Sequence, residues 1–227
     1  MRETVLVILA HPDDESLACG GTLARLADDG GRVVLLSATH GERGGPTGPV
    51  RDHALGHTRI EELRDAAREL GVSDVILLDQ PDGELRWERV PELHAEIVAA
   101  VRRFRPSAVI TFGADGLYWH PDHIGVFERT MTAMRTFGPA APPVYHVTMP
   151  PRSMRAVVDA ARGRGWTPPA KGLWSLVPDS FGLHAHPPTV IVDVKPWVPR
   201  KLSALRCHGS QMGHNHPFER LDPAEAL

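Results

Sequence analysis

The sequence predicts an α/β fold, with residues 1–227 forming a single Rossmann-like domain, a three-layer sandwich around a mostly parallel sheet. Two observations support this. Short apolar, β-branched runs alternate with longer amphipathic stretches, which is the order of β-α units whose helices cover both faces of a sheet. A chain of 227 residues, 42% of them hydrophobic, is also long enough to bury one sizeable core.

Four β-α units are predicted before Pro142, each an apolar strand followed by an amphipathic helix. The strands are expected at 5–9, 32–38, 74–78 and 107–112. The helices are expected at 16–29, 57–70, 91–104 and 122–136. The strand runs are almost continuously apolar, as expected of strands buried on both faces. Gly30 and Gly71 supply the glycine that commonly ends a helix.

The rest of the chain shows weaker patterns. Residues 144–147 and 189–194 are predicted as strands, and 196–207 as a helix with a proline near its first turn. The stretch 163–188 is rich in Gly, Pro and Trp and has no periodicity. It is therefore interpreted as either an active-site flap or a long surface connection.

Composition narrows the range of partners. A net charge of −3 indicates no basic surface of the kind that binds nucleic acid or an anionic membrane. No apolar run approaches the roughly 20 residues of a transmembrane helix, and no signal peptide is recognised. Two cysteines, Cys19 and Cys207, do not make a disulfide framework. We expect a cytoplasmic protein that acts on a small molecule and does not insert into membranes. The sequence leaves open whether the chain forms a homo-oligomer.

Two clusters of His and Asp each follow a predicted strand. His11, Asp13 and Asp14 lie just after strand 5–9, and His120-Pro-Asp-His123 lies after strand 107–112. In a doubly wound sheet of order 3-2-1-4-5 these two strands are neighbours at the switch point, where ligands bind. The two clusters are therefore expected to form one metal site.

The residue types in these clusters suit hydrolysis. His11, Asp14 and His123 can supply the two imidazoles and one carboxylate of a catalytic Zn²⁺ site, one ion per chain. Asp13, on the adjacent position of the turn, is predicted to be the general base for an attacking water. His120 and the Tyr118 hydroxyl are the expected donors to the developing oxyanion.

Other interpretations of the same residues stay open. Two His and one carboxylate also suit Fe²⁺, so an Fe(II) oxygenase is one alternative. A metal sensor or a non-enzymatic metal-binding module is another, and it would not need Asp13. Glu15 is interpreted as a helix N-terminal carboxylate favoured by the helix dipole.

At this point the chain resembles the LmbE-like (PIG-L) family of zinc-dependent N-acetylglucosaminyl deacetylases. The motifs that carry the resemblance are Ala-His-Pro-Asp-Asp-Glu at 10–15, Thr-His-Gly-Glu-Arg-Gly at 39–44 and Tyr-Trp-His-Pro-Asp-His at 118–123, and it extends to Arg59, Glu62, 70–72, 79–83 and 201–211. One departure is Trp119, where the family more often has a small residue.

The resemblance implies a role for several residues. His11, Asp14 and His123 would be the zinc ligands and Asp13 the general base. His120 would be the acid or oxyanion stabiliser, with Asp122 as its orienting partner. The expected reaction is removal of an acetyl group from an N-acetylglucosamine-type amino sugar or conjugate. An amidase that cleaves a larger acyl group is the nearest alternative.

Two residues are predicted to contact substrate. Arg43 follows the second strand toward the crevice, and its forked donors suit sugar hydroxyls or an anionic group. The alternative is a solvated loop arginine. Asp82 follows the third strand, although Pro-Asp-Gly is also an ordinary turn sequence. The tryptophans could stack on sugar rings, but core or lid packing is the commoner role.

Overall fold

The computed structural model describes residues 2–45, 54–87, 90–170, 173–212 and 216–221. Five strands form one parallel sheet in the order β3-β2-β1-β4-β5. They are β1 (Thr4–Leu9), β2 (Arg32–Ser37), β3 (Asp74–Leu77), β4 (Ala108–Phe112) and β5 (Val144–Val147). The predicted α/β class, the parallel sheet and the doubly wound order of strands are confirmed.

Helices follow the strands, as the sequence pattern predicts. The longer ones are α1 (Asp14–Asp28), α2 (Leu55–Leu70), α3 (Val90–Phe104), α5 (Pro121–Arg135), α6 (Ser153–Gly163) and α7 (Val198–Cys207). Two four-residue segments are α4 (Gly116–Trp119) and α8 (Gly209–Met212). Of the longer helices, all but α6 were predicted, with ends correct to within two residues.

The site region is created by the pairing of β1 with its two neighbours. Leu6, Val7 and Ile8 of β1 are fully buried because the strand lies at the centre of the sheet. Val7 pairs with Leu35 of β2 on one side and with Ile110 of β4 on the other. The carboxyl ends of β1 and β4 are therefore adjacent, and the chain leaves them in different directions, which opens a crevice.

A second apolar cluster lies beyond the sheet and supports the far wall of the crevice. It joins Met154 and Val157 of α6 to Leu202 of α7, with Trp166 and Trp174 buried between them. The stretch 163–188 contributes the short 3₁₀ turn Leu173–Ser175 to it, together with Trp166 and Phe181. Trp166 and Trp174 thus have the packing role that was the commoner expectation.

The strand predicted at 189–194 is wrong. These residues form no strand in the structure, and Val190, Ile191 and Val192 are exposed by 56%, 84% and 37%. The β-branched pattern suits a strand, but the segment has no ladder partner in the described chain. Arg25 donates to the Asp193 carbonyl instead. Among the described helices, none has the length and apolar character needed to cross a bilayer.

Candidate active site

The turn between β1 and α1 delivers three polar side chains to the crevice. Asp13 has φ 116° and ψ −26°, a left-handed conformation that Asp tolerates better than most residues but at some cost. This backbone separates Asp13 from its neighbour. His11 and Asp14 are buried, whereas the Asp13 side chain stays 26% exposed at the cavity.

A second constrained turn follows β4. Leu117 (φ 65°) and Trp119 (φ 68°) are left-handed within α4. The turn ends at His120, which is the N-cap of α5 and accepts a hydrogen bond from the Asp122 amide at 3.3 Å from Nδ1. One turn further, His123 is fully buried, with its ring stacked on Phe112 at 3.9 Å between centroids.

Asp14 lies between the two predicted histidine ligands. Its Oδ2 is 3.4 Å from Nδ1 of His11, and its Oδ1 is 3.1 Å from Nε2 of His123. Burial alone would raise the pKa of Asp14, but the charge of His123 and the hydrogen bond with His11 hold that pKa well below its usual range. The carboxylate is therefore ionised and able to bind a cation.

The buried His123 imidazole provides a test of whether His11, Asp14 and His123 are suited to bind a metal ion. Its Nδ1 lies 3.2 Å from the Gly116 carbonyl, which fixes the proton on Nδ1 and leaves a lone pair on Nε2. That Nε2 has no hydrogen-bond partner among the described residues and faces the carboxylate of Asp14. In this buried pair the Asp14 carboxylate and Nε2 of His123 need a positive charge between them, which a proton on Nε2 supplies in the absence of metal and a divalent ion can supply in its place. The residues fit a divalent ion.

Two outer carboxylates lie on the other side of His11. Nε2 of His11 is 3.1 Å from both Asp82 Oδ1 and Asp122 Oδ2. Burial opposes protonation of His11, but Asp122, Asp14 and Asp82 together raise its pKa well above its ordinary value. With Nε2–H donated to these carboxylates, Nδ1 faces Asp14, which is the usual arrangement of a carboxylate that orients a ligating histidine.

Other triads in the described residues also share His11. Ligand atoms of His11, His120 and His123 lie within 4.8 Å of one another, as do those of His11, Asp82 and Asp122. The second triad is less suited to a metal, because Asp122 already accepts the amides of Gly83 and Leu85 at 2.6 and 3.0 Å. The set of His11, Asp14 and His123 is favoured over the three-histidine triad because it adds an ionised carboxylate that faces both His11 and the unsatisfied Nε2 of His123.

The orienting role expected of Asp122 toward His120 stays a prediction. The contact between them is made by the Asp122 amide, which donates to Nδ1 of His120, the N-cap of α5. The Asp122 carboxylate is fully buried and contacts His11. Asp82 is likewise turned toward His11, and its other oxygen accepts the Arg43 amide at 2.8 Å. A direct contact of Asp82 with substrate stays a prediction.

A cavity of about 190 Å³ opens over this group. Asp13, Asp14, Tyr118 and His120 contribute to its wall, and Arg43 lies at its rim. The Arg43 guanidinium is 58% exposed and forms an ion pair with Glu84. Asp13, which is not one of the predicted metal ligands, therefore faces the same cavity as the possible hydrogen-bond donors Tyr118 and His120.

Comparison with known proteins identifies the family. Residues 6–134, more than half of the chain, match the family described as PIG-L, GlcNAc-PI de-N-acetylase. The chain belongs to the PIG-L family. The matched region begins in β1 and ends in α5, so it includes both His/Asp clusters.

PIG-L relatives and a solved structure extend the likeness over nearly the whole chain. A 1D-myo-inositol 2-acetamido-2-deoxy-alpha-D-glucopyranoside deacetylase of Thermobispora bispora is 32% identical, covering 96% of this chain and 82% of that protein. The Kineococcus radiotolerans protein of the same name is 35% identical, covering 92% and 68%. An N,N'-diacetylchitobiose deacetylase from Pyrococcus horikoshii superposes with a TM-score of 0.67 at 26% identity, covering 98% and 75%.

The PIG-L site contains an arginine that the sequence interpretation gave no role. Arg59 of α2 is 3% exposed, and its guanidinium donates to the carbonyls of Pro12 and Gly41 and to Asp13 Oδ2 at 3.1 Å. Burial raises the pKa of Asp13 to about 6, with Arg59 opposing this and Asp14 reinforcing it. The resemblance to the family extends to Arg59, but only the fold places this residue against Asp13.

A second buried hydrogen-bond network, centred on Glu15, contacts the turn between β1 and α1. Glu15 is 1% exposed, and its Oε2 accepts the Asp13 amide at 3.1 Å. Its Oε1 accepts from the Ser16 hydroxyl and lies 2.7 Å from His208 Nε2. Glu15 was interpreted as a solvated helix-end carboxylate. It is instead a buried partner of a histidine almost two hundred positions away, which positions the strained Asp13 backbone.

We predict that Glu15→Gln destabilises metal-free protein by about 3 kcal/mol or more, as expected when one partner of a buried ion pair is removed. The pKa of Glu15 is lowered, despite burial, by His208, so its contribution is lost as pH falls through that lowered pKa. The pKa of His208 is raised by Glu15, against burial, so its contribution is lost as pH rises through that raised pKa. The loss should therefore be largest in the mildly acidic range.

Urea unfolding at several pH values measures this loss. Glu61→Gln is the matched control, because the Glu61 side chain is 70% exposed and pairs with Arg64 on the same helix. Equal stabilities of wild type and Glu15→Gln across the pH range would contradict the assignment.

Proposed function

We propose that this PIG-L chain is a zinc-dependent hydrolase that removes the acetyl group from an N-acetylglucosamine-type amino sugar or conjugate. The observation that carries the proposal is the ionised Asp14 carboxylate between His11 and the unsatisfied Nε2 of His123, with Asp13 beside it at the cavity. The names of the two bacterial relatives, both deacetylases of an acetamido sugar, support the choice of substrate.

His11, Asp14 and His123 would hold one Zn²⁺ per chain, with Fe²⁺ as another divalent ion that suits the set. When bound, such an ion polarises the amide carbonyl and lowers the pKa of water from about 15.7 to roughly 7. Asp82 and Asp122 keep the Nε2 proton of His11 engaged, so that His11 presents its other nitrogen to the ion.

Asp13 is proposed to move the protons. It accepts one from water as the oxygen attacks the amide carbonyl, and it returns a proton to the sugar nitrogen as the carbon–nitrogen bond breaks, so acetate and a free amine result. Arg59, 3.1 Å from Asp13 Oδ2, orients the carboxylate and limits the rise of its pKa.

His120 and Tyr118 are proposed as neutral donors to the carbonyl oxygen. Nδ1 of His120 accepts the Asp122 amide, so the proton of the neutral ring is on Nε2. Burial, with the charges of His123 and His11, lowers the pKa of His120 to about 4. Burial also raises the pKa of Tyr118 well above its ordinary value. Both groups therefore enter the reaction uncharged and able to donate a hydrogen bond.

The test is release of free amine and acetate from a panel of N-acetylglucosamine conjugates by protein loaded with Zn²⁺. The proposal predicts stoichiometric amounts of both products. Turnover only with longer acyl groups would indicate an amidase of larger substrates. Oxygen consumption with a co-substrate would indicate an Fe(II) oxygenase, and metal binding with no turnover would indicate a binding module.

Arg43→Ala should raise KM more than it lowers kcat, about tenfold in KM, because a rim guanidinium contributes binding shared by ground and transition states. Steady-state kinetics on the best substrate of the panel measures both constants. Glu84→Gln is the matched control, since it frees Arg43 from its ion pair and should leave KM unchanged or lower. A large loss of kcat at constant KM would instead place Arg43 in transition-state stabilisation, and unchanged constants would make it a solvated loop charge.

We also propose a cytoplasmic location. Its support is that Cys19 and Cys207 are both free thiols, Cys19 being buried. We further propose that the binding partner of this chain is a small-molecule substrate, because the candidate site opens into a cavity of about 190 Å³.

A further inference from the structure

Beside the candidate active site lies a larger cavity whose lining differs in chemistry. It has a volume of about 490 Å³, and its wall includes Trp119, Leu173 and Leu176. The described residues that line it include no Asp, Glu, Lys or Arg. The first cavity, in contrast, is lined by Asp13, Asp14 and other charged groups. A ligand spanning both would place its polar part in the first and an apolar part in the second.

The two cavities adjoin one another. Tyr118, His120 and Leu173 line both of them. Small-molecule sites usually have volumes of about 300–1,000 Å³, and the first cavity, at about 190 Å³, is below that range. The first cavity, which contains Asp13, is therefore assigned to the reacting amide and its sugar ring. The second cavity is assigned to the aglycone, the group attached to the sugar.

Trp119 is held in place at the boundary of this second cavity. Its backbone is left-handed, with φ 68°, and its amide donates to the Asp115 carbonyl at 2.9 Å. The indole contacts His184 edge-on at 5.3 Å between centroids, yet the residue is 50% exposed. A bulky residue in this conformation costs free energy and persists where the surroundings impose it. A fixed, half-exposed indole is suited to stacking on a flat ring.

We propose that Trp119, Leu173 and Leu176 form a subsite for an apolar, aromatic aglycone attached to the amino sugar. This inference rests on the proposed function, because it names the part of the substrate that the same site binds. The neutral lining favours an aryl ring over a charged aglycone, since no ionised side chain among the described lining residues is available to pair with a charge.

The experiment compares kcat/KM for the phenyl and methyl glycosides of N-acetylglucosamine and for its inositol conjugate. Wild type should prefer phenyl over methyl by about tenfold, the size of one well-packed aromatic contact. Trp119→Gly should remove the preference without unfolding the protein, because glycine adopts a positive φ freely. Trp119→Phe should retain most of it. Trp87→Ala is the matched control, as Trp87 is 71% exposed and lines neither cavity.

Binding of the phenyl and methyl glucosaminide products by calorimetry gives a second readout that needs no turnover. An unchanged phenyl preference in Trp119→Gly, or equal affinity of wild type for both products, would overturn the subsite. So would a preference for the inositol conjugate over phenyl that survives Trp119→Gly. If no conjugate is deacetylated, the proposed function fails, and the product-binding ratio still decides whether the aryl subsite exists.

Discussion

Asp13→Asn protein is expected to fold, to bind metal as wild type does, and to turn substrate over about 100-fold or more slowly. The reason is that a positioned general base contributes about 10²–10⁴-fold to rate, whereas the proposed metal set of His11, Asp14 and His123 does not include Asp13. The measurement is metal per chain by elemental analysis together with kcat/KM for wild type and variant.

The pH dependence gives the same prediction a second readout. Burial raises the pKa of Asp13 to about 6, and a base must be ionised, so activity of wild type should fall as pH drops through that value. A cation bound beside Asp13 lowers its pKa, so the acidic limb of kcat/KM should lie at or below about 6. Asp13→Asn should lack the limb. Metal-free Asp13→Asn protein, or a variant with near-normal turnover, would show that Asp13 is not the base.

Asp14→Ala is expected to lose metal and activity together, in contrast to its neighbour. Asp14 lies 3.4 and 3.1 Å from the two histidines of the proposed metal set, so its replacement by Ala removes the one carboxylate of that set. Activity should fall at least as far as in Asp13→Asn, and added Zn²⁺ should not restore it at equimolar amounts. Metal analysis and kinetics on the same preparation measure this.

Asp29→Ala is the matched control for the loss of one carboxylate, because Asp29 lies at the end of α1 with its side chain 61% exposed. It should keep metal and turnover. Asp14→Ala protein that retains a full equivalent of metal would move the ion to another set, of which His11, His120 and His123 is the nearest.

The arrangement of the two clusters was predictable because it depends on strand order alone. Continuous apolar runs identify β1 and β4 as buried strands, and the doubly wound order makes them neighbours. Once they are neighbours, His11 and His123 must lie at one edge of the sheet. Local sequence carries this information, since each cluster directly follows its strand.

Contacts that depend on side-chain direction were not predictable. The sequence does not show that Asp122 contacts His120 through its amide while its carboxylate reaches His11. Glu15 looks like a helix-end carboxylate until α7 brings His208 to it. Arg59 reaches Asp13 only through the packing of α2. Such long-range pairs have no local signal in one sequence.

Tertiary environment also explains the failure at 189–194. The run of β-branched residues at 189–192 predicts a strand, but a strand requires a partner. In the described chain this segment pairs with neither edge strand of the sheet. The helix α6 was missed although the sequence carries a signal for it. Met154, Val157, Val158 and Ala161 recur at helical spacing, and the segment follows β5 as the β-α order predicts.

Titration of Zn²⁺ into metal-free wild-type protein, followed by free-amine release from an N-acetylglucosamine conjugate, decides whether this chain is a metal-dependent deacetylase. We expect no activity without metal, a rise in proportion to added ion, and a plateau at about one equivalent per chain. Full activity in metal-free protein, or no amine release at any amount of Zn²⁺ or Fe²⁺ from any conjugate of the panel, would contradict this expectation.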